Sequence, residues 1–146
     1  MGNNEGDYRN FQEWYLKVTK LEQKMDFIAS QYDVNYGQYL IMKYMAVDHC
    51  DEPTLLANAF GISRPAVSRK LNVLYKKNKI VKKHNDPNDQ RKVHLVLTAQ
   101  GEADLAAMDL AYQQWFGETF MQDQAIDLDM LQTQTDHVLN QIPNRK

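Results

Sequence analysis

The chain has little that would tie it to a membrane or to an oxidising compartment. Its single cysteine, Cys50, excludes an internal disulfide. No apolar run approaches the roughly 20 residues that a helix needs to span a bilayer, and the polar N-terminal stretch, residues 1–9, lacks the apolar segment of a signal peptide. We therefore expect a cytoplasmic protein without a membrane partner, folded as one domain over residues 1–146.

The sequence also lacks a recognisable catalytic or metal-binding motif. Its histidines have no Ser or Cys partner in a known arrangement, and there is no glycine-rich phosphate loop. His49, Cys50 and Asp51 are adjacent at a predicted helix end, so their side chains point in different directions and do not suggest a metal site. We expect neither an enzyme nor a bound cofactor or metal.

Charge is distributed unevenly along the chain, although the net charge is only −2. Residues 61–94 hold ten of the seventeen Lys and Arg residues and two of the nineteen acidic residues, which gives this segment a charge of +8 and the rest of the chain −10. A charge run is often only a solvated surface. Basic residues concentrated within a hydrophobic pattern are, however, typical of a surface that binds phosphates.

The spacing of apolar residues predicts a mostly helical protein. A first amphipathic helix carries apolar residues from Phe11 to Ile28, and a second runs over residues 36–48. A short third helix over residues 55–60 ends at Gly61, because glycine readily adopts the left-handed conformation that follows a helix.

The basic segment predicts a capped helix followed by a hairpin. Ser63 is a strong N-cap for a fourth helix that ends near Lys77. Strands follow at residues 80–84 and 93–97, with a turn-rich loop over residues 85–92 between them. Thr98 is then the predicted N-cap of a long fifth helix that ends at Phe120, and a last helix covers residues 128–141.

A short helix, a glycine turn, a capped helix and a β-hairpin make a winged helix-turn-helix. In such units the second helix lies in the major groove of DNA, with its N-terminal residues nearest the base edges. The predicted DNA contacts are Ser63, Arg64, Pro65, Ser68, Arg69, Asn72 and Lys76 on that helix, and Lys83, Asp89, Arg91 and Lys92 in the hairpin. The flexible lysines, including Lys77, Lys79 and Lys82, suit phosphates. Arg91 is expected to enter the minor groove, oriented by Asp89.

These motifs resemble the MarR family of bacterial transcription regulators. Residues 55–71, LLANAFGISRPAVSRKL, look like its helix-turn-helix, and residues 80–83 and 86–92 look like its strand and wing. Residues 97–101, LTAQG, resemble the Leu-Thr-x-x-Gly motif that opens its dimerisation helix. The chain departs from the family at Asn78, where glycine is usual, at Gln90, the first of a usual pair of arginines, and at Lys83, where arginine is usual.

The resemblance implies a fold that is mainly α with a small β-hairpin wing: a winged helix-turn-helix lobe at about residues 50–98, flanked by dimerisation helices at about residues 8–32 and 99–142. It also implies a repressor that binds double-stranded DNA at a pseudo-palindromic operator as a homodimer. Large apolar residues at both ends of the chain, which one small subunit would struggle to bury, independently favour the dimer. A monomer core is the alternative.

Many such regulators release DNA when a small aromatic effector binds. The residues expected to line its pocket are Trp14, Tyr15, Tyr36, Tyr39, Tyr44 and His49, although aromatics at helical spacing are also typical of a core. Two further functions stay open: a winged-helix module that binds protein, and a regulator that senses oxidants through Cys50. The acidic neighbours of Cys50 do not favour a reactive thiolate, so we expect no redox role.

Overall fold

The fold is mostly helical, as the sequence predicts. A computed structural model describes residues 4–86 and 89–144, and for residues 84–93 within that range it describes the backbone alone. This described part contains seven α-helices, two short 3-10 helices and a two-stranded antiparallel sheet. The chain divides into two compact units, Met1–Ala111 and Tyr112–Lys146. Within the described residues, none of the helices has the length and apolar character to cross a bilayer.

The N-terminal helical region is broken, whereas the sequence predicted one helix as far as Ile28. Helix α1 covers Asn4–Lys24, helix α2 covers Asp26–Ala29, and a 3-10 turn follows at Ser30–Tyr32. The break has a tertiary cause: the backbone N–H of Tyr36 donates to the Asp26 carboxylate at 2.7 Å, which fixes α2 against the start of the next helix. None of the residues of α1 is buried.

Helix α3 covers Tyr36–Val47 and begins at a capping box. The Asn35 side chain accepts a hydrogen bond from the backbone of Gln38 at 2.8 Å, and the Gln38 side chain accepts one from the backbone of Asn35 at 2.9 Å. These two bonds satisfy backbone donors that a helix start otherwise leaves unpaired. The predicted second helix is therefore confirmed.

The helix-turn-helix consists of α4, Pro53–Phe60, and α5, Arg64–Lys76. Gly61 links them with φ of 63°, in the left-handed region that favours glycine. Ser63 caps α5 by accepting a hydrogen bond from the backbone of Ala66 at 3.2 Å. Asn78, which replaces the usual glycine after this helix, has φ of 59°. The local predictions for this segment are confirmed.

The wing is a longer hairpin than the sequence predicted. Strand β1 covers Ile80–Asp86 and strand β2 covers Asp89–Leu97. Their register pairs Ile80 with Leu97 and Asp86 with Asp89, with an irregularity after His84. The prediction of an eight-residue loop over residues 85–92 was wrong. Backbone pairing between the strands extends into polar residues that are typical of a loop in sequence. Pro87 and Asn88 lie outside the described residues.

Helix α6 covers Ala99–Glu118 and begins at the predicted cap. The backbone N–H of Gly101 donates to the Thr98 hydroxyl at 2.9 Å. The helix ends two residues before the predicted Phe120, which begins a 3-10 turn. Up to Ala111 this helix belongs to the first unit, whose fully buried side chains include Ile41 and Met42 on α3, Leu56 on α4, Val67 and Leu74 on α5, Ile80 on β1 and Met108 on α6.

The second unit contains the end of α6 and helix α7, Leu128–Gln141. Trp115, Phe116 and Phe120 form an aromatic cluster in which the two phenylalanine rings stack at 5.0 Å. Asp127 caps α7 through the backbone of Met130 at 3.1 Å. None of the residues of α7 is buried.

Candidate nucleic-acid interface

One face of α5 collects the predicted DNA contacts. All seven predicted residues on this helix are exposed, and they form what we call the recognition face: Ser63, Arg64, Pro65, Ser68, Arg69, Asn72 and Lys76. The opposite face buries Val67, Leu71 and Leu74 in the core. Spacings of three and four residues place each set on its own side of the helix. The core contacts of α5 thus fix which side chains the helix presents to a partner.

The recognition face is electropositive. Helix α5 contains four Lys and Arg residues and no acidic residue, and its N-terminus adds the positive end of the helix dipole. The Arg64 guanidinium donates to the Thr54 hydroxyl at 3.0 Å, which holds Arg64 beside the start of α4. In the part of the chain that the structure describes, neither Arg69 nor Lys76 pairs with a carboxylate. Both cations are therefore available to an anionic partner.

The lysines that follow α5 have different environments. Lys79, predicted to contact phosphate, is buried and pairs with Asp104 of α6, so that prediction was wrong. Lys77 donates to the backbone carbonyl of Asp33. Lys82 lies 5.1 Å from the centre of the Tyr75 ring, and Lys83 is exposed on β1. Lys77, Lys82 and Lys83 are exposed and stay candidate phosphate contacts.

Three of the four predicted wing contacts lie on β2. The backbone of Asp89, Arg91 and Lys92 belongs to this strand, but their side chains fall outside what the structure describes. Their contacts with DNA stay predictions. The base of the wing is held firmly, because the backbone N–H of Leu95 donates to the carbonyl of Asp51 at 2.7 Å. This bond joins β2 to the segment that leads into α4.

The residues expected to line an effector pocket occupy several places. Trp14 and Tyr15 are exposed on α1. Tyr44 packs against the ring of Phe60 at 5.0 Å, and His49 is exposed with φ of 55°. These four residues are not brought together by any contact that the structure describes.

Tyr36 and Tyr39, in contrast, stack at 5.5 Å. Burial raises the pKa of the Tyr36 phenol above its ordinary value, because the charged form loses its contact with water. The Tyr39 hydroxyl donates to the Asp109 carboxylate at 2.5 Å, and the Lys43 ammonium binds the other oxygen of that carboxylate at 2.8 Å. Sequence reasoning missed Lys43 and Asp109, because a separation of 66 positions in the chain leaves no local signal.

Asp109 also lines a groove between α3, β2 and α6. The groove has a volume of about 400 Å³, and its walls include Met45, Asp51, Leu95 and Leu105. Apolar side chains and carboxylates therefore share one cavity within the first unit. None of these lining residues was among the predicted effector contacts.

Comparison with known proteins gives one sequence family and many structural matches. The family model of the transcriptional regulator SarA/Rot matches residues 23–108. No curated protein sequence matches the chain. Solved structures with similar folds include S. aureus MepR in complex with DNA, which has a TM-score of 0.73 and 19% identity over 90% of this chain and 96% of that chain.

Two further structures carry the MarR name. A mutant MarR from E. coli in complex with operator DNA has a TM-score of 0.70 and 19% identity over 97% of this chain and 100% of that chain. The MarR of S. aureus in complex with salicylate and kanamycin has a TM-score of 0.61 and 23% identity over 94% of this chain and 87% of that chain. At these identities the match is one of fold, and it confirms the predicted MarR-like winged helix.

The matched residues run from the end of α1 into α6 and make up more than half of the chain. They include the whole helix-turn-helix, the recognition face and the wing. The segment that carries the predicted DNA contacts is therefore also the segment that the family model matches. The chain belongs to the SarA/Rot family of transcriptional regulators.

Proposed function

We propose that the protein is a DNA-binding transcriptional regulator that places the recognition face of α5 in the major groove. The observation that carries this proposal is a helix with cations on its exposed face and no acid along its length. A major groove about 12 Å wide admits a helix of about 10–12 Å diameter. Two of the similar structures are complexes with DNA.

The side chains on this face suit two different tasks. Arg69 lies one turn into α5 and has a planar fork that can donate two parallel hydrogen bonds to the edge of a guanine. Lys76 lies at the far end of the helix, where its single ammonium group suits a phosphate. We therefore assign sequence recognition to Arg69 and positioning to Lys76.

Selection of bound duplexes from a random pool tests this assignment. Wild-type protein should enrich a two-part site whose half-sites lie about one helical turn, roughly 34–36 Å, apart. Arg69→Ala should lose about 1–3 kcal/mol of specific affinity and relax one position in each half-site. Lys76→Ala is the matched control and should weaken all duplexes about equally. If Arg69→Ala selected the same sequence with the same affinity, α5 would not read bases.

We propose that the working unit is a homodimer. Helix α1 leaves large apolar residues in water, with Tyr15 56% and Leu16 59% exposed. Helix α7 does the same, with Leu131 52% and Leu139 60% exposed. Large apolar side chains exposed along a helix favour an interaction site, and a second copy offers matching apolar helices. Such a dimer would present two α5 helices to a pseudo-palindromic site.

Light scattering tests the dimer directly. Wild-type protein at micromolar concentration should show twice the chain mass of 17.0 kDa. Leu131→Glu should shift the mass toward the monomer, because it places a charge within the proposed interface. Gln132→Glu adds the same charge at the next position of α7 and should remain dimeric. A monomer mass for the wild type would contradict the proposal.

We further propose that the regulator is a repressor that releases DNA when a small aromatic molecule binds. The groove of about 400 Å³ beside Asp109 lies against both α3 and the wing strand β2, so a ligand there could shift the wing. Salicylate is a suitable probe, because the S. aureus MarR structure is a complex with salicylate and kanamycin. It should lower the DNA affinity of the wild type and have less effect on Leu105→Trp, which fills the groove. Equal DNA affinity with and without salicylate would count against this ligand class.

We propose no catalytic activity, since the family to which the chain belongs consists of transcriptional regulators. A winged-helix module that binds protein would give a different result in the selection. It would enrich no duplex, and its affinity for random DNA would not fall as salt is added.

A further inference from the structure

A histidine and two carboxylates converge where the wing meets the helix-turn-helix. The side chains of Asp51, Glu52 and His94 each offer one ligand atom, and these atoms all lie within 4.8 Å of one another. We propose that these three residues bind one divalent transition-metal ion. The site lies outside the recognition face and does not depend on DNA binding.

Backbone geometry brings the three residues together. The hydrogen bond from Leu95 to the carbonyl of Asp51 fixes β2 beside the segment that carries both acids. His94 and Asp51 then face each other, with Nδ1 and Oδ2 3.0 Å apart. Glu52 is the N-cap residue of α4, but its side chain makes no capping hydrogen bond. Its carboxylate is therefore placed at the cluster without a role in starting the helix.

The spacing of the ligand atoms suits a small cation. Metal–ligand distances of about 2.0–2.2 Å and tetrahedral angles place two ligands of one zinc ion roughly 3.4 Å apart. His94 Nδ1 and Asp51 Oδ2 are already 3.0 Å apart. The widest pair of ligand atoms, at no more than 4.8 Å, would approach by roughly 1.4 Å at most through rotation of the side chains. The side chains of His94 and Asp51 are 24% and 37% exposed, so the site is partly shielded and still has room for water molecules as additional ligands.

The donor set points to the class of metal. One imidazole nitrogen with two carboxylate oxygens suits Zn²⁺, which takes three protein ligands and a water, and also suits Mn²⁺. Ca²⁺ and Mg²⁺ prefer oxygen ligands throughout. The sequence hides this site, because His94 lies 43 residues from Asp51.

The position of the site gives the ion a structural consequence. One ligand comes from the wing strand β2, and two come from the residues just before α4. A bound ion would link these elements through three bonds, where a backbone hydrogen bond from Leu95 to Asp51 and a side-chain hydrogen bond between His94 and Asp51 join them now. Metal binding should therefore stiffen the base of the wing and raise the melting temperature.

Calorimetric titration of the chelator-treated full chain with ZnCl₂, and separately with MnCl₂, tests the proposal. Wild-type protein should bind one ion per chain. Glu52→Gln and His94→Gln should each weaken binding by at least about tenfold. Replacing a residue that only positions a metal ligand already costs about that much, and a direct ligand should cost at least as much. His49→Gln is the matched control, since His49 is exposed and two residues from Asp51; it should bind like the wild type.

A second measurement covers the case in which His94→Gln folds poorly. Glu52→Gln leaves the hydrogen bond between Asp51 and His94 intact, so its circular dichroism spectrum should match that of the wild type. Zn²⁺ should raise the melting temperature of the wild type, EDTA should reverse the rise, and Glu52→Gln should show none. The proposal fails if neither ion binds, if both substitutions leave the affinity unchanged, or if His49→Gln removes binding.

Discussion

Gly101 lies in the first turn of α6, against the backbone that leads into the wing. A Cβ atom added here would overlap the carbonyl oxygen of Lys79 and stand 3.0 Å from its carbonyl carbon. That carbonyl accepts a hydrogen bond from the backbone N–H of Thr98 at 2.9 Å. Since the obstacle is backbone, it cannot rotate away as a side chain would. Gly101→Ala should therefore displace the start of β1 relative to α6.

The expected cost follows from three contributions. Overpacking of this kind costs about 1–3 kcal/mol, and loss of the hydrogen bond between Thr98 and Lys79 costs about 1 kcal/mol. The helix propensity of alanine returns about 1 kcal/mol. Gly101→Ala should therefore lower the free energy of unfolding by about 1–3 kcal/mol.

Gly117 provides the matched control, because it lies in the same helix and a Cβ atom there would meet nothing within 4 Å. Gly117→Ala should raise the free energy of unfolding by up to about 1 kcal/mol. Urea denaturation followed by circular dichroism measures both values. Equal changes of the same sign in the two variants would refute the steric account of the LTAQG motif.

Three further changes test other parts of the structure. Asp104→Ala should lower the free energy of unfolding by about 3–5 kcal/mol, because it leaves the buried Lys79 ammonium without its partner; urea denaturation that shows a loss below about 1 kcal/mol would mean that the pair is not buried in solution. Arg91→Ala should remove any preference for A·T-rich flanks while the central half-site stays the same, since narrow minor grooves attract arginine; equal losses for wild type and variant when the flanks change to G·C would contradict this role. Cys50→Ser should keep DNA binding, and a loss of binding in peroxide that disappears in this variant would show that Cys50 is a sensor.

The features that sequence predicted well are local ones. Ser63 and Thr98 cap helices, and Gly61 adopts positive φ, as expected. Each of these signals depends on residues within a few positions in the chain. The exposed face of α5 could also be predicted from sequence. The helical period of 3.6 residues determines which side chains lie opposite the buried stripe.

The features that sequence missed depend on distant residues. The burial of Lys79 requires a partner, Asp104, that lies 25 residues away. The cluster around His94 depends on a backbone bond between β2 and Asp51. The length of the wing was also underestimated. Its strands continue through polar residues, and amino-acid composition does not show that these residues pair across a sheet.

The salt dependence of DNA affinity tests the central claim most directly. The logarithm of the binding constant for a random duplex should fall linearly with the logarithm of salt concentration, because each phosphate contact releases bound cations. Lys76→Ala should reduce this slope by about 0.9, the value for one lost contact on B-form DNA. Gln132→Glu, on α7 and not part of the recognition face, should leave the slope close to that of the wild type. An affinity independent of salt, or a slope unchanged in Lys76→Ala, would contradict the placement of α5 against DNA.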